Sequence, residues 1–356
     1  MLALQGLSPV ALARQFPELT AAESRRVAAA IVRSGPQALA GPLIQVRRAA
    51  MEALRARGHV PTLTLRAEQA SRVDPFVKYL FAGPDGAEFE SVRIPLAQPG
   101  RYSVCVSSQV GCALACAFCA TGRLGLRRNL EAWEIVEQVR EIRGRVPAGG
   151  RVHGVVFQGM GEPLANLDRV LAAIAVLSDP SALAIDARAI TVCTSGLPAG
   201  ILRLAREAPR VRVGISIASA RREVRRSLMP IDGAHALQDV LAAAAEHARI
   251  TRLAPMFAVT LLRGHNDGES DAAALAGLVH AFTADAGVRP RLTLLAYNPI
   301  AAADDPFTRT PAADEARFRD WLAARGVFTH RRYSGGSDVA AACGQLAARA
   351  SPAQGA

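Results

Sequence analysis

Three of the six cysteines fall within one short stretch, at Cys112, Cys116 and Cys119, spaced Cys-x-x-x-Cys-x-x-Cys between Gly111 and Gly122. Three thiolates on so short a loop can wrap one compact object, and the spacing suits an iron–sulfur cluster. A four-iron cubane normally takes four cysteines, so three local ligands leave one iron open to a substrate or cofactor. Structural zinc wants four protein ligands, commonly in paired Cys-x-x-Cys or Cys/His sets. No histidine lies between Cys105 and His153 to complete such a set nearby. A disulfide framework fits poorly, because the chain is long and not cysteine-dense.

The elements that must hold this loop follow from the pattern around it. Residues from Ser8 to about Ala56 carry apolar side chains at spacings near three and four, broken by Gly35-Pro36 and Gly41-Pro42, which reads as a small helical unit. From Arg72 the period changes to two, around a Pro84-Asp85-Gly86 turn: a β-hairpin reaching Ile94. The strand Tyr102–Val106 leads into the cysteine loop, and Asn129–Val136 opens a helix with acid in its first turn.

Beyond the loop, aliphatic runs at 152–157, 189–192, 211–217, 255–262 and 291–296 alternate with Ala/Leu/Arg helical patterns, and 327–333 looks like one more strand. Such alternation means βαβ units and a parallel sheet. Polar tags follow most of the runs: Gln158-Gly159-Met160-Gly161-Glu162, Cys193-Thr194-Ser195, Ser216-Ile217-Ala218-Ser219 and Tyr297-Asn298. Functional groups at the carboxyl ends of parallel strands belong to barrel active sites. The expectation is an α/β protein: a partial (β/α)6 barrel over 101–346, a helical accessory domain over 1–70, a hairpin extension over 71–100 and a flexible tail over 347–356. A doubly wound sheet is the competing architecture.

Half of the 356 residues are hydrophobic, as a globular core requires. The first residues lack a basic leader with a long apolar run, and no later stretch of eighteen apolar residues escapes charge. The reading is a cytoplasmic protein away from membranes. Lys+Arg number 42 against 31 Asp+Glu, a net charge of +11 that suits a polyanionic partner such as nucleic acid. Only Lys78 is lysine, so the basicity also reflects an arginine-rich composition.

The cysteine spacing is that of radical S-adenosylmethionine enzymes. Several further stretches resemble one branch of them: Cys105–Cys112, Cys119-Ala120-Thr121-Gly122, Arg128-Asn129-Leu130, Gly159–Asn166, Met229-Pro230-Ile231, Asn266-Asp267-Gly268, Asn298-Pro299 and Ala341–Leu346. Together they resemble the RlmN/Cfr family of radical S-adenosylmethionine RNA methyltransferases, from about Lys78 to Leu346. The pair Cys105 and Cys343 is the most specific part.

The resemblance implies that Cys112, Cys116 and Cys119 hold one [4Fe-4S] cluster. It implies that Gly161, Glu162, Cys193, Ser216, Ala218 and Asn298 stand at cofactor-binding positions for S-adenosylmethionine. Cys343 would take a methyl group from one S-adenosylmethionine by displacement. A second, cleaved reductively at the cluster, would give a 5′-deoxyadenosyl radical that activates that methyl for addition to an adenine carbon. Glu90 matches the proton acceptor, and Cys105 would release the product by forming a disulfide with Cys343. An amidine carbon of adenine is a poor nucleophile, so ordinary methyl transfer does not serve there. C2 of adenosine in 23S rRNA is the favoured target, with tRNA as a second substrate, an electron donor such as flavodoxin, and a monomeric enzyme.

A base edge inside a stacked helix is out of reach, so the target should be looped or splayed. Arg123, Arg127, Arg128, Arg221, Arg222, Arg225 and Arg226 are candidate RNA contacts. The chain departs from the family pattern in three places: Cys193 stands for a usual serine, Ala218 for a histidine and Gly335 for an arginine. Two other readings stay open: a radical enzyme of altered specificity, acting at adenosine C8 or on another RNA or a peptide, and a non-catalytic metal-binding protein that recognises RNA.

Overall fold

A computed structural model describes residues 1–300, 302–331 and 333–347; the predicted tail from 348 onward lies outside the described residues. The chain begins with β1 (Leu2–Ala3), α1 (Pro9–Gln15), α2 (Ala21–Ser34), α3 (Arg48–Arg57) and β2 (Gly58–His59). β1 and β2 pair in parallel, clasping the start of the chain to the end of α3. Ser8 caps α1, and Thr20 with Glu23 forms a reciprocal capping box on α2, so short helices are held at their N-termini. Leu12, Phe16, Val27, Ile31, Met51 and Leu54 bury a separate small core between them.

The body of the molecule is one ten-stranded sheet. Its antiparallel part is β3 (Thr64–Ala70), β4 (Val77–Ala82) and β5 (Glu88–Pro95), which joins β6 (Arg101–Val106). From β6 onward the sheet is parallel: β9 (Arg151–Phe157), β10 (Ile190–Thr194), β11 (Arg212–Ser216), β12 (Met256–Leu261), β13 (Arg291–Ala296) and β14 (Thr329–Arg331). The order β14-β13-β12-β11-β10-β9-β6-β5-β4-β3 does not close on itself, as a partial barrel requires. Between β6 and β9 come β7 (Gln109–Cys112), α4 (Ala120–Arg123) and β8 (Gly125–Asn129), with β7 and β8 forming a hairpin, then α5 (Ala132–Arg143). The later crossovers are α6 (Leu167–Ser178), α7 (Pro198–Glu207), α8 (Arg222–Leu228), α9 (Leu237–Thr251), α10 (Glu269–Ala286) and α11 (Ala312–Ala324).

β3 was not expected: its residues fall inside the stretch read as helical. Its side chains alternate between exposed and half-buried, so no apolar face announces it. Pairing with β4, through a bulge between Leu65 and Ala67, makes it a strand. The extension is therefore a three-stranded continuation of the barrel sheet rather than a lone hairpin.

Candidate active site

The cysteine loop runs from β7 to α4 across the carboxyl ends of the parallel strands. Gly111 makes the hairpin at its base possible. Its φ is +77°, and a Cβ there would stand 1.8 Å from the Gly125 carbonyl oxygen across the β7–β8 pair. The loop is tied at three more points: the Ala117 N–H donates to the Leu228 carbonyl, the Ala120 N–H to the Gly344 carbonyl and the Thr121 hydroxyl to the Leu346 carbonyl. Two of those carbonyls belong to the Cys343 segment, so the far end of the chain is stitched directly onto the cluster loop.

Two cavities meet there. The larger, about 890 Å3 with its open mouth, is lined by Cys116 and Cys119, by residues at the carboxyl ends of β9, β10, β11 and β13, and by Ala258 and Thr260 of β12. Gly161, Glu162, Cys193, Ser216 and Ala218 all line it; Asn298 does not. The smaller, about 560 Å3, is lined by Cys105, Cys119, Phe76, Val92, Ile94 and Tyr333 among others. Cys343 lines both. The Asn298 amide instead donates to the Ser334 hydroxyl and the Cys343 carbonyl, fixing the loop that carries Cys343.

The three loop thiols are electrostatically unfavourable as an isolated set. Burial pushes Cys112 up to about 11 and Cys116 up to about 12, and the neighbouring thiols push the same way; burial also raises Cys119. Iron would reverse that balance, since a coordinated thiol is deprotonated by the metal's charge. Among the described residues no three His, Cys, Asp or Glu side chains converge on a single-ion site. Phe118, Leu228 and Met229 supply an apolar shell. The donor set and its surroundings fit a cluster.

Glu162 is buried, which raises its pKa, while the Leu164 and Ser195 N–H groups donate to its two oxygens and oppose that rise. It thereby joins the β9 loop to the end of β10. Arg225 does the same on the neighbouring strands. It is fully buried, pairs with Asp232 at 2.9 Å, and donates to the Ser195, Ser216 and Ile217 carbonyls. It is thus a strut under the cavity and is withdrawn from the set of RNA contacts. Arg128 is spent on Asp85 and Glu134, the exposed Arg123 pairs with Asp304 and Arg221 with Asp271, while Arg127, Arg222 and Arg226 are also exposed.

Glu90 lines neither cavity. Its Oε1 lies 3.0 Å from Lys78 Nζ and its Oε2 accepts from the Ala347 N–H at 2.8 Å. Val92 sits directly opposite both Lys78 on β4 and Cys105 on β6, so Lys78, Glu90 and Cys105 share one face of the sheet. Lys78 was not among the sequence candidates. The signal available was its being the chain's one lysine, two positions out of register with the glutamate across a hairpin. The departures at Cys193 and Ala218 both fall on the larger cavity. At Gly335 there is no room for a side chain, because a Cβ would meet Phe76 at 2.4 Å.

A partial barrel with a three-cysteine loop across its strand ends defines a radical S-adenosylmethionine protein. The radical SAM superfamily model matches residues 106–276. "Probable RNA methyltransferase sce3898" of Sorangium cellulosum is 58% identical over 93% of this chain and 89% of its own length. The dual-specificity RNA methyltransferase RlmN of Syntrophobacter fumaroxidans is 41% identical over 80% of this chain and 79% of its own. A crystal structure of a radical SAM methyltransferase from Sphaerobacter thermophilus superposes with a TM-score of 0.86 at 33% identity, covering 98% of this chain and all of that one. The chain belongs to the RlmN-type family of radical S-adenosylmethionine-dependent RNA methyltransferases.

Proposed function

We propose that this protein methylates a ring carbon of adenosine in RNA, C2 in preference to C8, using Cys343 as the methyl carrier. 23S rRNA is the first substrate in view and tRNA the second. The observation that carries the reading is the position of Cys343, which lines the strand-end cavity with Cys116 and Cys119 and also the smaller cavity with Cys105. A thiol at that junction faces a methyl donor on one side and an acceptor base on the other.

When bound, a [4Fe-4S] cluster and S-adenosylmethionine supply the one-electron chemistry and the methyl group. Cys112, Cys116 and Cys119 would hold the former, while Gly161, Glu162, Cys193, Ser216 and Ala218 would wall the latter. Asn298 positions the Cys343 loop through its carbonyl. Glu90, paired with Lys78, stands ready to receive the proton leaving the ring carbon once the Ala347 N–H is displaced from it. Cys105 would then free the RNA: its thiolate attacks the Cys343 sulfur to form a disulfide, the Cys343 sulfur–carbon bond to the base breaks, and the electron pair left on that carbon takes up a proton to complete the methyl group. The enzyme would act in the cytoplasm as a monomer, reduced by a flavodoxin-like donor; no helix among the described residues is long and apolar enough to cross a membrane.

The test is mass spectrometry of the Cys343 peptide from anaerobically purified protein, with iron analysis alongside. A brown protein with iron lost in Cys116→Ser, a methyl on Cys343, and RNA linked to Cys105→Ala are expected. A colourless zinc protein, or an unmodified Cys343 in both wild type and Cys105→Ala, would remove this mechanism.

A further inference from the structure

The smaller cavity contains a feature that the methyl-transfer chemistry leaves unused. Phe328 and Tyr333 are the only exposed aromatic side chains among the described residues, and Tyr333, 66% exposed, stands at this cavity beside Cys343. The other aromatic rings of the described chain are at least half-buried, as cores demand. An exposed ring next to a reactive thiol is therefore out of pattern.

The ring is held in place. Its hydroxyl donates to Asp74 Oδ2 at 2.9 Å, and its ring packs in a T-shaped arrangement with the buried Phe76 ring, 5.9 Å between centroids and 67° between planes. The same Asp74 oxygen accepts from the Gly336 N–H, while Asp338 accepts from the Ser71 hydroxyl and the Arg72 N–H. The linker before β4 and the segment before Cys343 are thus laced together on both sides of Tyr333. Gly335 completes the arrangement: its missing Cβ is the space that Phe76 occupies. A flexible surface tyrosine needs none of these supports. They fix a planar, accessible π face at the edge of a cavity lined by three cysteines, Cys105, Cys119 and Cys343.

We infer that Tyr333 is a stacking platform for the nucleobase delivered to Cys343, with Phe76 bracing it from behind. The ligand class is an unpaired purine of RNA, splayed out of its strand. Aromatic rings bind such bases through stacking, with affinity set by the ring rather than by the hydroxyl. The inference rests on the proposed RNA substrate and adds the residue that receives the base.

The probe is protein-free ribosomal RNA from cells lacking the gene, bound to anaerobically prepared holoenzyme. Ultraviolet cross-linking followed by peptide mass spectrometry should place a nucleotide adduct on Tyr333. In filter binding and steady-state assays, Tyr333→Ala should raise Kd and KM about tenfold or more while kcat at saturating RNA changes by about twofold or less. Tyr333→Phe, which keeps the ring and loses the hydroxyl anchor, should stay close to wild type. An adduct confined to other residues, or a Tyr333→Ala variant that retains cluster absorbance and binds RNA as wild type does, would overturn the inference. Methylation of Cys343 in wild type is read separately: its absence with the Tyr333 adduct present removes the methyl-carrier mechanism and leaves the stacking platform standing.

Discussion

The two cavities that meet at Cys343 are built by different rules. The larger is assembled by repetition, successive parallel strands from β9 to β13 delivering residues to the same cavity. The smaller is assembled by return, with Phe76, Val92 and Cys105 from the antiparallel side meeting a segment that starts at Tyr333. Tyr333 and its anchor Asp74 are separated by 259 positions. Each cavity also has its own buried cation: Arg225 with Asp232 beneath the first, Lys78 with Glu90 beside the second. A repeated unit tolerates local change because its neighbours persist, whereas a closure made once depends on single contacts.

The sharpest way to break the comparison is to remove those cations. Arg225→Met leaves Asp232 charged and buried and frees three strand-end carbonyls. It should cost about 3–5 kcal/mol in denaturant unfolding. Lys78→Met strands Glu90 in the same way and should cost about 3 kcal/mol, with Lys78→Met/Glu90→Gln recovering most of it. Recovery in the double variant would mark the pair as local; its failure would mean that Lys78 has further work in the closure.

His247, fully buried on α9 and lining neither cavity, serves as a control on the scaffold. Burial lowers its pKa from 6.5 to about 4. Between those values the unfolded chain binds more protons than the folded one, so the stability tied to neutral His247 is complete above pH 6.5 and is lost as pH falls towards 4. The loss should reach about 2–3 kcal/mol and flatten in His247→Leu, as read by unfolding midpoints across that range. Smallest in free energy is Gly111→Ala, expected to cost about 1–3 kcal/mol through its left-handed backbone and the clash with Gly125. Its signature should be reduced iron loading, with both buried cation pairs intact.

The fold was legible where physics is local. Alternating aliphatic runs and helical patterns located β9 to β13 to within a residue or two, and the chain's glycine and proline breaks located the N-terminal helices. β3 escaped because an edge strand with no buried face carries no period-two signal. Of the site, the cluster loop and the lining of the larger cavity were readable, since each tag directly follows its strand. Arg225 stood among the candidate RNA contacts but is buried: nothing in Arg-Arg-Glu-Val-Arg-Arg distinguishes the one arginine that α8 turns inward.

The sequence by itself determined the three-cysteine spacing, the strand-end tags and, as a family resemblance, the pair Cys105 and Cys343. Spacing along a short loop and the residue after a strand are properties of neighbours in the chain. Only the tertiary structure decided that Cys343 borders both cavities, that Lys78 meets Glu90, and that Tyr333 stands at the same cavity as Cys343. Those are distances between segments brought together by sheet register and chain return, and burial, rather than residue type, sets what each side chain can do there.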